Sequence, residues 1–157
     1  MRILLTLAAL FSPLVHSACE GPEYDQFDFW LGSWQVTAKG TLAGTNEISA
    51  DLDNCVLREH YRTESGFEGR SLNIYDKSRD LWHQTWVDNQ GQLLQLEGRL
   101  EGGVMVLQGP GLSAKGEKHL HRIRWTPNMD GTVRQHWQVS KDDGETWTDV
   151  FDGMYRK

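Results

Sequence analysis

At 157 residues, with 22 acidic against 16 basic side chains, the chain has the length of one acidic domain with one core. Its formal charge of −6 and the absence of any basic block argue against nucleic acid or an anionic membrane as partner. No stretch has the roughly 20 consecutive apolar residues that a membrane-spanning helix needs.

Residues 1–18 read as a secretory signal peptide. Arg2 supplies the positive start, residues 3–10 an apolar core extended by Phe11, Leu14 and Val15, and Ser17 and Ala18 the small residues of a cleavage site. The folded domain is then expected over residues 19–157, exported to a periplasm or secreted. Cys19 has two readings. Small residues ahead of a cysteine suit lipoprotein processing, with an acyl anchor on Cys19, although His16 stands where that signal usually has Leu. Alternatively Cys19 pairs with Cys55, since an even cysteine count in an exported chain favours a disulfide. Such a bridge would restrict the unfolded chain by roughly 4 kcal/mol.

Residues 27–34, Phe-Asp-Phe-Trp-Leu-Gly-Ser-Trp, place four aromatic rings around a glycine. A short helical turn over Phe27–Leu31 is expected to plug a barrel end, with Gly32 permitting a tight entry into the first strand and Trp34 packing over the core. Beyond it, alternation replaces helical periodicity. Trp34, Val36 and Ala38 alternate with polar neighbours, as do Ile48 and Ala50, then Leu57, Glu59 and Tyr61, then Ile123 and Trp125, then Val133, Gln135, Trp137 and Val139. Turn signals at 40–44, 53–54, 65–66, 77–80, 89–91, 102–103, 109–116 and 130–131 separate these runs, and the Gly-Pro-Gly stretch that opens 109–116 is expected to be the most mobile loop. About ten strands with short connections follow. The expected fold is all-β: a single closed antiparallel up-and-down barrel with a short N-terminal helical plug, because closure removes the two unpaired sheet edges.

Strand parity then assigns the lumen. If Trp34 and Ile48 point inward, so do Leu57, Glu59 and Tyr61. The same reasoning groups Ser71, Asn73 and Tyr75; Trp82, Gln84, Trp86 and Asp88; His119, His121, Ile123 and Trp125; Gln135 and Trp137; and Phe151 and Tyr155. For residues 70–75 the opposite choice, with Leu72 and Ile74 inward, stays open. His60, His83 and His136 fall on the outer face, where solvation is expected.

Residues 32–34, Gly-Ser-Trp, resemble the Gly-x-Trp signature of the lipocalins and related calycin barrels. The longer stretch over residues 27–34 resembles a family of exported, mostly bacterial proteins of unknown function that share an FDFWLGxW motif. The likeness extends through residues 69–73, 82–88 and 135–137 to the turn at 140–147. It implies a calycin-like barrel, and ten strands suit the fatty-acid-binding-protein or haem-binding nitrobindin style better than the eight-stranded lipocalin. Residues 140–147 also look like the Asp-box hairpin of sialidase-type propellers; occurring once in a short chain, the segment reads as a hairpin stabiliser.

A core built for stability alone would not enclose so many polar groups, since each must find a partner or costs about 1–3 kcal/mol. The leading expectation is therefore an exported binding protein holding a small, partly apolar molecule. Its contact residues are Glu59, Tyr61, Ser71, Asn73, Gln84, Trp86, Asp88, His119, His121, Gln135 and Trp137. One alternative is an enzyme in the same lumen, with Glu59 as acid or base and His119 or His121 as its partner. Another is a structural module with a filled interior. The His119-x-His121 spacing raises a divalent metal, whose site Glu59 or Asp88 could complete, and the nitrobindin likeness raises haem through one axial histidine.

Overall fold

The computed structural model describes residues 18–113 and 116–157; the leader reading, apart from Ala18, falls outside them. A 3-10 helix over Tyr24–Trp30 precedes ten strands: β1 Gly32–Ala38, β2 Thr41–Asp51, β3 Val56–Arg62, β4 Glu68–Asp76, β5 Leu81–Asp88, β6 Leu93–Glu101, β7 Val104–Leu112, β8 Lys118–Pro127, β9 Val133–Ser140 and β10 Thr148–Arg156. Each pairs antiparallel with its neighbours in sequence, and β10 closes onto β1 through Gln35–Arg156 to Ala38–Gly153, giving a closed up-and-down barrel.

The helix closes the end at which β1 begins. Phe27 and Trp30 are wholly buried and stack at 4.9 Å. Phe27 also meets Trp82 of β5 and Trp125 of β8 edge-on, at 5.6 and 5.2 Å. The Trp34 indole N–H donates to the Trp30 carbonyl at 2.8 Å, so the first inward ring of β1 is tied to the plug. Gly32 enters β1 at φ +133°, a conformation that a side chain rarely adopts. The core of Val36, Ile48, Leu57, Leu96, Met105, Leu107 and Val133 surrounds these rings.

Parity holds around the barrel. On β4 the open choice falls to the polar set: Ser71, Asn73 and Tyr75 are buried, while Leu72 and Ile74 face outward. Two expected loops are in part strand: β2 begins at Thr41, and β7 runs to Leu112. Gly109, Pro110 and Gly111 pair with His121, Leu120 and His119 within β7, and Gly44 lies within β2 opposite Val36. These glycines mark crowding rather than turning. A Cβ on Gly109 would lie 2.1 Å from the Gln95 carbonyl oxygen, and one on Gly44 2.4 Å from that of Arg62.

Cys19 is bonded to Cys55, which joins the segment ahead of the plug to the start of β3 across 36 residues of chain. A sulfur so bonded has no thiol left to acylate, so the disulfide is the alternative this structure contains. The hairpin at 140–147 behaves as the stabiliser expected. Asp142 accepts from the Thr146 N–H and hydroxyl and from the Ser140 hydroxyl, which hold its carboxyl down at about 2. The Trp147 ring stacks outside the barrel under the Arg122 guanidinium at 3.7 Å.

Replacing both Cys19 and Cys55 by Ser is expected to lower the unfolding free energy by about 4 kcal/mol on the loop-closure relation. Urea unfolding of the wild type with and without reductant, beside the double variant, measures it. An unchanged midpoint would show that the bridge does not constrain the unfolded chain.

Candidate functional site

Opposite the plug the barrel opens into a cavity of about 420 Å³, within the usual size of small-molecule sites. Glu59 and Tyr155 form its floor. Tyr61, Trp86, Trp137 and Phe151 supply aromatic walls, with Leu94 and Ile123 between them. Gln84 and Gln135 reach in from β5 and β9, and Thr63, Phe67, Gln90, Gln92 and Val150 ring the mouth.

Glu59 is 5% exposed, and the neighbouring strands aim donors at it. Asn46 Nδ2 of β2 donates to Oε1 at 2.7 Å, and the Ser71 hydroxyl of β4 donates to Oε2 at 2.6 Å. Behind Ser71 stands Asn73, whose Nδ2 donates to Ser71 Oγ and to the Leu57 carbonyl; Gln84 Nε2 in turn donates to Asn73 Oδ1 at 2.8 Å. On the other side Asn46 Nδ2 also donates to the Tyr155 hydroxyl, which donates to Gln135 Oε1 at 2.6 Å. The network thus crosses β5, β4, β3, β2, β10 and β9. No guanidinium, ammonium or imidazole contacts the carboxyl among the described residues.

Burial is the largest influence on Glu59 and raises its carboxyl from an ordinary 4.5 to about 7, against the two donors, which pull it down. The same enclosure, with the Glu59 charge nearby, pushes the Tyr155 and Tyr61 phenols upward. Asn46 Oδ1 is buried with no hydrogen bond among the described residues. Turning that amide over would present Oδ1 to the acid proton of neutral Glu59, so one residue can serve both protonation states.

The cavity gathers seven of the residues expected to line it: Glu59, Tyr61, Gln84, Trp86, Asp88, Gln135 and Trp137. Ser71 and Asn73 stand behind Glu59 and act through it. Asp88 sits at the rim with its carboxylate committed: Oδ1 accepts the N–H groups of Gln90 and Gln92, and Oδ2 accepts the Trp86 indole N–H at 3.3 Å.

The histidines depart from expectation. His119 and His121 do not line the cavity. The Trp137 indole N–H donates to His121 Nδ1 at 3.0 Å, so His121 carries its proton on Nε2 and gives it to His119 Nε2 at 2.9 Å. Burial, helped by His119, lowers His121 to about 4, which keeps the ring neutral and able to accept from Trp137. The pair braces a cavity wall. Neither ring is a hydrogen-bond partner of Glu59, so the acid–base pairing considered from sequence is not formed. Among the described residues no cluster of three or more His, Cys, Asp or Glu side chains is placed to hold a metal ion, and the proposed completion of the His119–His121 pair by Glu59 or Asp88 is not made. The outer-face histidines are not simply solvated: His60 meets Glu68 at 2.7 Å, His83 meets Glu97 at 3.0 Å and His136 meets Asp149 at 2.8 Å.

Parity reasoning passed over Asn46, although it shares the face of Ile48 two residues on. It also passed over the glycines that seat the aromatic walls. A Cβ on Gly69 would fall 2.0 Å from the Trp86 ring, one on Gly153 2.3 Å from the Phe151 ring, and one on Gly44 2.8 Å from the Tyr61 ring. A Cβ on Gly111 would likewise fall 2.3 Å from His121 Nε2. Each ring lies flat against a strand because the residue beneath it has no side chain.

No protein-family model matches the chain, and no curated protein matches it in sequence.

Because the folded carboxyl binds its proton more tightly than the unfolded one, the stabilisation from Glu59 is fully present below about pH 4.5 and is lost as pH rises through about 7. Glu59→Gln, which stays neutral, is expected to remove a decline of a few kcal/mol between those limits and to gain on the wild type at pH 8. Urea midpoints of both proteins across this range check it; parallel pH profiles would contradict it.

Proposed function

We propose that this chain is an exported binding protein that holds a small, partly apolar organic molecule inside its barrel. The observation that carries the reading is the cavity of about 420 Å³, floored by a buried carboxyl and walled by Tyr61, Trp86, Trp137 and Phe151. A module with a filled interior has no use for glycines that hold three of these rings, Tyr61, Trp86 and Phe151, back from the centre of the lumen. Aromatic walls supply contact area at low conformational cost, and the few polar groups orient what they enclose.

Export is supported by the leader-like residues 1–18 and by the Cys19–Cys55 disulfide, which suits an oxidising compartment. The likeness of residues 27–34 to exported FDFWLGxW proteins, and of residues 32–34 to the calycin signature, agrees with both compartment and barrel. Binding is favoured over the enzyme alternative because Asn46 and Ser71 hold Glu59, while His121 is spent on Trp137 and His119 on His121.

Native mass spectrometry of the protein purified from its own host is expected to show a retained small molecule. Gly69→Ala forces the Trp86 ring off the β4 backbone into the open lumen. It should abolish that retention at a stability cost of about 1–3 kcal/mol. The neutral fluorophore N-phenyl-1-naphthylamine should brighten with the wild type and not with the variant. Dye exclusion by both proteins would overturn the reading.

A further inference from the structure

Resting on that reading, we infer that the lumen selects organic cations: a protonated amine on an aromatic or aliphatic body, its N–H groups bonded to the Glu59 carboxylate and its body between Trp86, Trp137 and Phe151. Of the cavity's lining residues only Glu59 and Asp88 bear ionisable carboxyls, and none of the lining residues is Lys, Arg or His. An anionic ligand would enter a lumen that offers its charge no partner, at a cost of several kcal/mol for an unpaired buried ion.

The two carboxylates are not equivalent. Asp88 is bound into the β5–β6 turn and to the Trp86 indole, which leaves it to add negative potential at the mouth. Glu59 is held by one donor on each oxygen, whereas an ionised carboxylate accepts about four hydrogen bonds. The unused acceptor sites belong to a group that forms the cavity floor. An ammonium supplies N–H donors, the compensating charge for a buried carboxylate, and a cation that aromatic faces attract.

The amides complete the fit. Gln84 and Gln135 accept or donate without charge, so they orient a ligand without competing for its cation. Their bonds to Asn73 and Tyr155 fix them in place. The titratable groups that face Glu59 are the Tyr61 phenol of its own strand and the Tyr155 phenol of β10. Asn46 of β2 and Ser71 and Asn73 of β4 face it without charge. Both phenols are shifted upward and stay neutral through the range in which Glu59 gains or loses its proton, so this preference has one switch.

The test uses three probes with one body and different heads: phenylbutylamine, phenylbutanol and phenylbutyrate, read by quenching of intrinsic tryptophan fluorescence and by displacement of the neutral dye. At pH 8 the amine is expected to bind at least about tenfold more tightly than the alcohol, and the carboxylate least well. Glu59→Gln should bring the amine down to the alcohol, removing the difference between the two probes. Should that variant fail to fold, the wild type alone decides. Its amine affinity should fall as pH drops through about 7 and Glu59 takes a proton, with the alcohol affinity flat. Dye binding with the carboxylate or alcohol equal to the amine would overturn the cation preference and leave the pocket standing. Failure of the dye and all three probes would overturn both.

Discussion

A carboxyl group inside a closed sheet has no edge and no bulk water to turn to, so its partners must come from other strands. Glu59 meets that constraint by drawing on Asn46 and Ser71, and through them on Asn73, Gln84, Tyr155 and Gln135. These bonds make the relative register of six strands part of the description of one side chain. A slip of one residue in any of them would turn its polar member outward and strand a buried donor or acceptor. The network and the barrel's closure are therefore mutually dependent, and the cavity exists where the network stops.

The two ends of the barrel are built by opposite means. At the plug end, Phe27, Trp30, Trp82 and Trp125 fill the lumen with interlocking rings. At the other end, rings of similar size are kept against the wall: Tyr61 by its bond to the Ala43 carbonyl, Trp86 by Asp88, and Trp137 by His121. The histidine pair belongs to this second device. The buried, neutral state of His121 is what an indole donor requires, and its bonds to Trp137 and His119 account for an imidazole facing inward without lining the cavity.

Much of the architecture was legible because alternation in a two-faced strand is a direct record of burial. The strand number and the inward set on β3, β5 and β9 follow from it, while the plug was legible in the aromatics around Gly32 and the hairpin in its Asp-box pattern. On β4 the hydrophobic side chains pointed the wrong way: Leu72 and Ile74 lie outside because Ser71 and Asn73 are needed beneath Glu59. Partner identity was not legible. Parity places His119, His121 and Glu59 on one face, but barrel shear and strand order decide which of them meet. The glycines of β2 and β7 misled for a related reason. In sequence, a residue without a side chain reads as a turn, whereas Gly44 makes room for Tyr61 and Gly111 for His121 within regular strands.

That use of glycine separates two properties that most binding sites tie together. The chemistry of the chamber resides in Glu59 and its amide neighbours, while its width is set by Gly44, Gly69 and Gly153, none of which lines it. A lineage of such barrels could change the width of the chamber through methyl-sized edits in the wall while the floor stayed constant. It could equally retain one width and rewrite the floor. Variation at these three positions is thus a gauge of calibre and carries no information about polarity.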